Sequence, residues 1–229
     1  MVDRQRHLQI MVDRQIAARG VRDVAVLKAM RDVPRDAFVD TRMAKFAYDD
    51  APLPIAAGQT ISQPYVVAVM LEAARIAATD TVLEVGAGSG YVAALMSRMA
   101  RRVYAIERHA ELADAARERL SRLGYANVEI RASDGTEGWP EVGPFDAVIV
   151  SAAGPRIPLP LRRQITVGGR LVMPIGDVGE QHLICAVRKG ENDFDEEDLG
   201  SVRFVPLIGV FGWPDPATPK PEHTSRPKV

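Results

Sequence analysis

From residue 64 onward, apolar positions alternate between a spacing typical of helices and a spacing typical of buried strands. Residues 64–78 place apolar side chains three and four positions apart, which predicts a helix with one buried face. Short apolar runs bounded by turn residues then predict strands. The pattern yields three helix–strand units, with strands at TVLEVG, RVYAIE and VEIRASDG and with helices at 91–100 and 110–123.

The remainder of the chain predicts further strands. In order, they are FDAVIVSAA, a hairpin formed by GGRLVMPIG and HLICAVRKG, and a last strand VRFVPLIGV at 202–210, with a short helix near 159–165. Short apolar strands separated by amphipathic helices are typical of an α/β fold with helices on both faces of the sheet. We therefore predict a doubly wound, mostly parallel seven-stranded sheet that ends in an antiparallel C-terminal strand.

The N-terminal region has a helical pattern of its own. Residues 11–30 show helical periodicity interrupted at Gly20, and Pro34 ends the run. These residues predict a helical cap on the sheet. The pentapeptide MVDRQ occurs at 1–5 and again at 11–15, a match too short to indicate a structural repeat. We assign residues 1–10 to an N-terminal extension.

A long polar loop joins the cap to the first helix of the sheet. Residues 47–63 contain two prolines and a glycine and predict irregular structure, which is typical of a binding loop when it occurs inside a compact domain. Residues 214–229 hold five of the 16 prolines and almost no apolar side chain, so we expect them to be disordered. The predicted domain spans 11–213, with cap and loop at 11–63 and the core at 64–213.

Composition excludes several classes of protein. With 29 basic and 30 acidic residues the net charge is −1, so no overall field favours nucleic acid or an anionic membrane as a partner. The one cysteine, Cys185, allows neither an intrachain disulfide nor a multi-cysteine metal site, and it lies in an apolar run that predicts a buried thiol. No apolar run approaches the length of a membrane span. We expect a cytoplasmic protein.

The segment VLEVGAGSGY runs from a strand into closely spaced glycines and then into a helix. Such glycines let the backbone turn tightly and let a ligand approach main-chain N–H groups. Gly86, Gly88 and Gly90 follow a G-x-G-x-G spacing preceded by the acidic Glu84, whereas dinucleotide sites use G-x-G-x-x-G. This spacing favours S-adenosylmethionine over NAD as the ligand.

Two carboxylates end the next two predicted strands. Glu107 follows Gly86 by about twenty residues, where a carboxylate can accept hydrogen bonds from a ribose diol. Asp134 ends the third strand, where it can accept from an adenine amine, although an Asp-Gly turn alone would also explain it. Because the carboxyl ends of parallel strands form the ligand-binding edge of such sheets, we expect the glycines and both carboxylates to surround one cofactor.

S-adenosylmethionine donates a methyl group, and the motifs that the chain lacks indicate which chemical group accepts it. An amine or phenol acceptor would need a base or a metal, and the segment SAAGPRIP replaces the Asn/Asp-Pro-Pro-aromatic signature of base-amino methyltransferases. The histidines have no metal-ligand spacing. They are His7, His109, His182 and His223. A carboxylate acceptor, with an ordinary pKa of about 4, needs only orientation and desolvation.

The segment GQTISQPY suits such an anionic acceptor. Gln59, Thr60, Ser62 and Gln63 cluster immediately before Pro64, a residue that favours the first position of a helix. Hydroxyl groups beside a helix N-terminus form an anion site. The competing interpretation is that Ser62 or Gln63 merely caps the helix. Both interpretations can hold together.

Several segments together resemble the protein-L-isoaspartate (D-aspartate) O-methyltransferase family, over about residues 11–213. They are RQIAARGVRDVAVLKAMRDVPRDAFV, AYDDAPLPI, GQTISQPYVVAVM, VLEVGAGSGY, DGTEGWPEVGPFDAVIVSAA, GGRLVMPIG and FVPLIGVFGW. The most specific is GQTISQP, because the glycine motif is common to methyltransferases. Ala56 departs from the family pattern, which has glycine there.

The resemblance implies a Rossmann-like methyltransferase fold and methylation of the free carboxylate of isoaspartyl residues in damaged proteins, with S-adenosylmethionine as methyl donor and no metal. It implies Ser62 as the active-site serine, with Thr60 as a second substrate-binding residue. The expected cofactor-binding residues are Gln59, Glu84, Gly86, Gly88, Glu107, Asp134 and Gly135. Alternatives are a small-molecule methyltransferase with the same cofactor, a non-catalytic module and, more remotely, a dehydrogenase. We expect a monomer.

Overall fold

The computed structural model describes residues 4–216 of the chain. Two short strands in the polar loop, β1 (Leu53–Pro54) and β2 (Thr60–Ile61), form a separate antiparallel pair. The main sheet contains seven strands. They are β3 (Thr81–Val85), β4 (Arg102–Glu107), β5 (Val128–Ala132), β6 (Phe145–Val150), β7 (Ile165–Gly176), β8 (Gln181–Arg188) and β9 (Phe194–Ser201).

The helices between these strands follow the periodicity of the sequence. Shorter 3-10 turns supplement them, including one at Gly135–Glu137. The α-helices are α1 (Arg4–Ile10), α2 (Val24–Asp32), α3 (Pro64–Ala74), α4 (Tyr91–Ser97), α5 (Ala110–Arg122) and α6 (Leu159–Arg163).

The main sheet has the order β5-β4-β3-β6-β7-β8-β9. Neighbouring strands from β5 to β7 in this order pair in parallel. The last two pairs, β7 with β8 and β8 with β9, are antiparallel. The predicted class, a mostly parallel seven-stranded sheet ending in an antiparallel strand, is confirmed. In the parallel part Val85 is aligned with both Ile106 and Val150, so the residues that follow β3, β4 and β6 emerge at one edge.

Two apolar layers cover the sheet. Alternation along β3 sends Val82 to one face and Leu83 and Val85 to the other. The first face packs against α3, α4, α5 and the N-terminal cap, and it also buries Cys185 as expected. The second face packs against α6, Trp139 and the C-terminal segment. Helices therefore lie on both faces, although the first face carries the larger layer.

The N-terminal cap begins earlier than Met11. Helix α1 continues without a break into a π-helical stretch, Met11–Ile16, and a 3-10 turn, Ala17–Arg19. Leu8 is buried in the same core as Met11, and Arg4 pairs with Asp36. Residues 4–10 thus pack with the cap. The helix ends at Gly20, which adopts φ 107°, as the sequence predicted.

The position of the last strand was predicted wrongly. The expected strand at 202–210 is an extended segment that makes only isolated bridges, Ala153 with Pro206 and Ile208 with Trp213. Strand β9, which precedes it, pairs with β8 instead. Its sequence FDEEDLGS has few apolar residues because it lies at the edge of the sheet, and its side chains include the exposed carboxylates of Asp195, Glu196, Glu197 and Asp198. Residues 217–229 of the expected disordered tail lie outside the described residues.

Helix α3 stops short of its predicted end. It was expected to reach residue 78, but Arg75 adopts the left-handed conformation, φ 48° and ψ 50°, and terminates the helix after Ala74. A left-handed residue at this position satisfies the last carbonyls, since the Arg75 N–H donates to the Glu72 carbonyl oxygen. The conformation is unfavourable for any residue that carries a Cβ atom.

Replacing Arg75 with glycine should therefore stabilise the protein by about 0.5–1 kcal/mol. The matched control is Arg75→Ala, which removes the same charge but keeps the Cβ atom, and it should give no gain. Urea unfolding of the three proteins measures the difference. Equal stability of the glycine and alanine variants would contradict the argument from backbone conformation.

Candidate active site

The glycine-rich turn after β3 lies at the edge where the parallel strands end. Gly86 and Gly88 have φ 88° and 52°, values that favour glycine. The N–H groups of Gly86 and Ala87 both donate to the Ile106 carbonyl oxygen, at 2.8 and 3.1 Å, which fixes the turn against β4. Ser151, directly after β6, donates its N–H to the Val85 carbonyl oxygen at 2.8 Å. The turn is thus held from both neighbouring strands.

A cavity opens in front of this turn, and we call it the strand-end cavity. It brings together residues from the polar loop, the ends of three strands and the segment 205–208. Its wall includes five of the seven residues that the sequence assigned to the cofactor. They are Gln59, Gly86, Gly88, Glu107 and Gly135, joined by Thr60, Arg108, His109 and Ser151.

A second cavity, which we call the loop cavity, adjoins the first. It has a volume of about 370 Å³ and lies between the polar loop and the segment 201–205. Thr60, Ser151 and Val205 line both cavities, whereas Ser62 lines only the loop cavity of the two. The predicted donor and acceptor residues therefore occupy two adjoining spaces that share a wall.

Glu84 lies beneath the glycine turn and is almost inaccessible, with 1% of its surface exposed. Burial, reinforced by the neighbouring charge of Glu107, raises the pKa of the Glu84 carboxyl well above its usual range. Its Oε2 atom has no hydrogen-bond partner among the described residues. With Thr60, Ser62 and Gly86 it lines a narrow cleft, so this unpaired oxygen is available to a bound ligand.

Glu107 is also buried, but its oxygens have partners. Oε2 accepts from the Gly88 N–H at 2.9 Å, and Oε1 accepts from the His109 N–H at 3.0 Å. Each carboxylate oxygen retains a second lone pair, so a pair of hydroxyl groups can still donate to it. The carboxylate is fixed in orientation before any ligand binds. This geometry suits the predicted contact with a ribose diol.

Asp134 is tied into the fold more firmly than the sequence indicated. Its Oδ1 accepts from the N–H and the hydroxyl of Thr136, at 2.8 and 2.7 Å, and its Oδ2 accepts from the Val210 N–H at 2.8 Å. Asp134 therefore does form the Asp-Gly turn that the sequence offered as an alternative. Its contact with an adenine amine stays a prediction. Gly135 packs closely on β3, where an added Cβ atom would lie 2.5 Å from Val85 Cγ1.

The polar loop presents its hydroxyl groups just before helix α3. Gln63 occupies the N-cap position without a side-chain capping bond, and Pro64 is the first helical residue. Ser62 therefore does not cap this helix, so the capping interpretation is wrong for Ser62, whereas Gln63, the other candidate, does hold the N-cap position. Ser62 lies half-buried in the wall of the loop cavity, and Thr60 is exposed at the boundary between the two cavities. Ala56, the departure from the family pattern, does not adopt a positive φ, so alanine fits there.

Asp50 caps helix α3 from outside the helix. Its Oδ1 accepts from the Tyr65 N–H at 3.2 Å, and its Oδ2 accepts from the Gln63 side-chain amide at 2.8 Å. Arg19 donates to Oδ2 at 2.5 Å and also stacks its guanidinium 3.4 Å from the centroid of the Tyr65 ring. One carboxylate therefore joins the N-terminal cap, the polar loop and the start of α3, immediately beside Ser62.

Comparison with known proteins agrees with this geometry. A family model described as protein-L-isoaspartate(D-aspartate) O-methyltransferase (PCMT) matches residues 6–211. Protein-L-isoaspartate O-methyltransferase 2 of Pelobacter propionicus is 56% identical over 206 residues, which cover 90% of this chain and 92% of the relative.

The chain belongs to the protein-L-isoaspartate (D-aspartate) O-methyltransferase family.

Solved structures give the same result. A protein-L-isoaspartate O-methyltransferase superposes with a TM-score of 0.80 at 27% identity, covering 91% of this chain and 67% of the other. A structure described as a beta-aspartate methyltransferase (PCMT) from Plasmodium falciparum, in complex with S-adenosyl-L-homocysteine, superposes with a TM-score of 0.77 at 25% identity, covering 91% and 99%. The family resemblance inferred from the sequence is thereby confirmed.

Residues 4–216 contain a site that suits S-adenosylmethionine, the methyl donor of the family, and they contain no candidate metal site. Among them, no cluster of three or more His, Cys, Asp or Glu side chains could hold a metal ion. The unpaired Glu84 oxygen, the open glycine turn and the fixed Glu107 carboxylate together fit a polar nucleoside ligand such as S-adenosylmethionine. Within the same described range, no helix is both long enough and apolar enough to span a bilayer.

Sequence reasoning missed three residues that shape the site. Ser151 directly follows β6, much as Glu107 ends β4. Because ligands bind at the carboxyl ends of parallel strands, the sequence could have identified Ser151 as a site residue. Asp50 lies in the segment AYDDAPLPI, but its partners are distant in sequence. Arg203 lines the loop cavity from a segment that the sequence assigned to an ordinary strand.

We expect Asp50→Ala to lower both stability and catalysis. Loss of the cap should cost about 0.5–2 kcal/mol of unfolding free energy, and movement of Ser62 by about 1 Å should reduce kcat/KM on the order of 100-fold. Asp50→Asn keeps an oxygen for the Tyr65 N–H but loses the charge that attracts Arg19, so it should lie between the two.

Urea unfolding and methyl-transfer rates, taken at a temperature where every variant is folded, separate the two effects. If Asp50→Ala is less stable yet methylates at the normal rate, the carboxylate supports the fold without positioning the site.

Proposed function

We propose that this chain transfers a methyl group from S-adenosylmethionine to the free carboxylate of L-isoaspartyl residues in damaged proteins and peptides, the first step of their repair. D-Aspartyl residues are a second substrate class that the family description suggests. The observation that carries the proposal is the shared wall at Thr60 and Ser151, which places an acceptor cavity beside the donor cavity in a member of this family.

The chemistry of a carboxylate acceptor matches the groups that line the loop cavity. S-adenosylmethionine supplies an electrophilic methyl group on a sulfonium when bound. In the transfer, a carboxylate oxygen forms the new bond to that methyl group as the S–CH₃ bond breaks, which yields a methyl ester and S-adenosylhomocysteine. The acceptor is already ionised at neutral pH, with an ordinary pKa of about 4. None of the residues that line this cavity is an Asp, Glu or His, so no general base is provided.

We assign individual roles from the two cavities. Ser62 donates its hydroxyl to the acceptor carboxylate and acts as the catalytic residue, with Thr60 as a second donor in the shared wall. The methyl donor is held by Gln59, Glu84, Gly86, Gly88, Glu107, Asp134 and Gly135. The positions of Glu107 and of the glycine turn support this assignment most directly, because both are fixed by backbone hydrogen bonds.

The difference between isoaspartate and aspartate is one methylene group. In an isoaspartyl residue the main chain runs through the side-chain carboxyl, so the free carboxylate is attached directly to Cα. An ordinary aspartate in the same pose would present its oxygen about one bond length out of place, and such a displacement can cost on the order of 100-fold in rate.

We therefore expect strong methylation of an isoaspartyl peptide and almost none of its aspartyl twin. Transfer of radiolabelled methyl groups to both peptides, with and without a chelator, measures this, and the chelator should have no effect. Equal labelling of the two peptides, or activity confined to a small molecule, would contradict the proposal.

Ser62→Ala should reduce turnover of the isoaspartyl peptide more than it reduces affinity for S-adenosylhomocysteine, because the hydroxyl faces the acceptor cavity. Without this hydrogen bond the acceptor carboxylate is less well oriented toward the methyl group, and a displacement of about 1 Å can cost on the order of 100-fold in rate. Ser121→Ala, an exposed site on α5, is the matched control. Normal turnover in Ser62→Ala would remove this serine from the site.

We also propose that the protein acts as a monomer in the cytoplasm. The large exposed apolar side chains of the described residues, such as Val24, Val167 and Val178, belong to different elements and do not suggest one broad interface. The single cysteine, buried as a free thiol, is compatible with a reducing compartment.

A further inference from the structure

The loop cavity has a single ionisable side chain in its wall. Eleven residues line it, and ten of them are apolar or neutral polar. The eleventh is Arg203, which is exposed and lines this cavity but not the strand-end cavity. A space that receives a chain bearing a carboxylate thus contains one permanent positive charge and no negative charge.

The guanidinium of Arg203 has no partner among the residues that the structure describes. No hydrogen bond, ion pair or ring contact joins it to any residue of the described range 4–216. Asp198, five residues earlier in the chain, is engaged by His182 and by the Gly200 N–H. Some exposed arginines elsewhere have a carboxylate partner, as Arg42 has in Asp40. The charge of Arg203 is therefore available to a group that enters the cavity.

The backbone that carries Arg203 is held on both sides by one buried glutamine. Gln181 accepts the Val202 N–H with its carbonyl oxygen at 3.0 Å. Its side-chain amide accepts the Phe204 N–H at 2.7 Å and donates to the Phe204 carbonyl oxygen at 3.2 Å. Because Gln181 is only 7% exposed, these bonds are shielded from water. Arg203 thus projects from a fixed stretch of chain.

Arg203 lies at a distance from the part of the loop cavity that adjoins the methyl donor. Val205 lines both cavities, and Arg203 lies two residues farther from the strand-end cavity, about 7 Å along an extended chain. Methyl transfer moves a methyl group from a cationic sulfonium to an anionic oxygen, so negative charge on the acceptor decreases in the transition state. A cation held directly against that oxygen would favour the reactant and slow the step. The position of Arg203 suits a charge on a flanking residue of the acceptor instead.

We propose that Arg203 is a specificity-determining residue that favours acceptor segments carrying a carboxylate next to the isoaspartyl residue. This inference rests on the proposed function. It assigns Arg203 to recognition of the flanking side chain, an aspartate or glutamate of the damaged protein, and not to the chemical step. Its effect falls on KM, and kcat is unaffected.

The test uses isoaspartyl peptides that differ only in the residue before or after the isoaspartate, which is Glu, Gln or Lys. The wild-type protein should show a KM two- to fivefold lower for at least one Glu peptide than for its Gln twin, the size expected of an exposed ion pair. The corresponding Lys peptide should show a higher KM. The ratio should shrink as ionic strength rises from about 0.05 to 0.3 M, since salt screens exposed charges.

Arg203→Gln should abolish the Glu preference and leave kcat for the Gln peptide unchanged, whereas Arg203→Lys should retain most of the preference. Arg14→Gln, an exposed site on the N-terminal helix, changes the net charge equally and should behave as wild type. A preference that is absent in the wild type, or that survives Arg203→Gln, would overturn the inference. Failure of the wild type to methylate any isoaspartyl peptide would instead overturn the proposed function.

Discussion

The parallel pairing of β3 with a strand on either side is the constraint on which the site depends. Val85 is aligned with Ile106 in β4 and with Val150 in β6, so all three strands stop at one level. The glycine turn, Glu107 and Ser151 emerge there as immediate neighbours. Backbone bonds from the turn to the Ile106 carbonyl and from Ser151 to the Val85 carbonyl then hold the edge rigid.

Most of the fold could be predicted from the sequence, because hydrophobic periodicity and turn residues determine structure over short distances along the chain. The three βα units, the glycine turn and the carboxylates at the strand ends were all located in advance. Long-range features were not. Strand β9 escaped detection because an edge strand needs no continuous apolar run, and Asp50 escaped because its partners Arg19 and Gln63 lie 31 and 13 residues away. The geometry of Asp134 depends likewise on Val210, which is 76 residues distant.

Two neighbouring glutamates near the strand ends, Glu84 and Glu107, lie in different electrostatic environments. Glu107 accepts from the N–H groups of Gly88 and His109, whereas burial and the neighbouring charge of Glu107 raise the pKa of the Glu84 carboxyl. The loop cavity is simpler, with several hydroxyl groups and a single guanidinium in its wall. Fixed donors and sparse charge suit a reaction in which opposite charges cancel.

The acidic edge strand β9 has a consequence for a protein whose clients are aged polypeptides. Damaged chains are partly unfolded, and an open sheet edge is a template on which such chains can add as an extra strand and aggregate. Exposed carboxylates from Asp195 to Asp198 and their basic partners Lys189, Arg162 and His182 cover this edge with charged side chains. Charged side chains along an edge strand disfavour its pairing with a strand of another chain, which reduces the tendency of the protein to aggregate with its substrates.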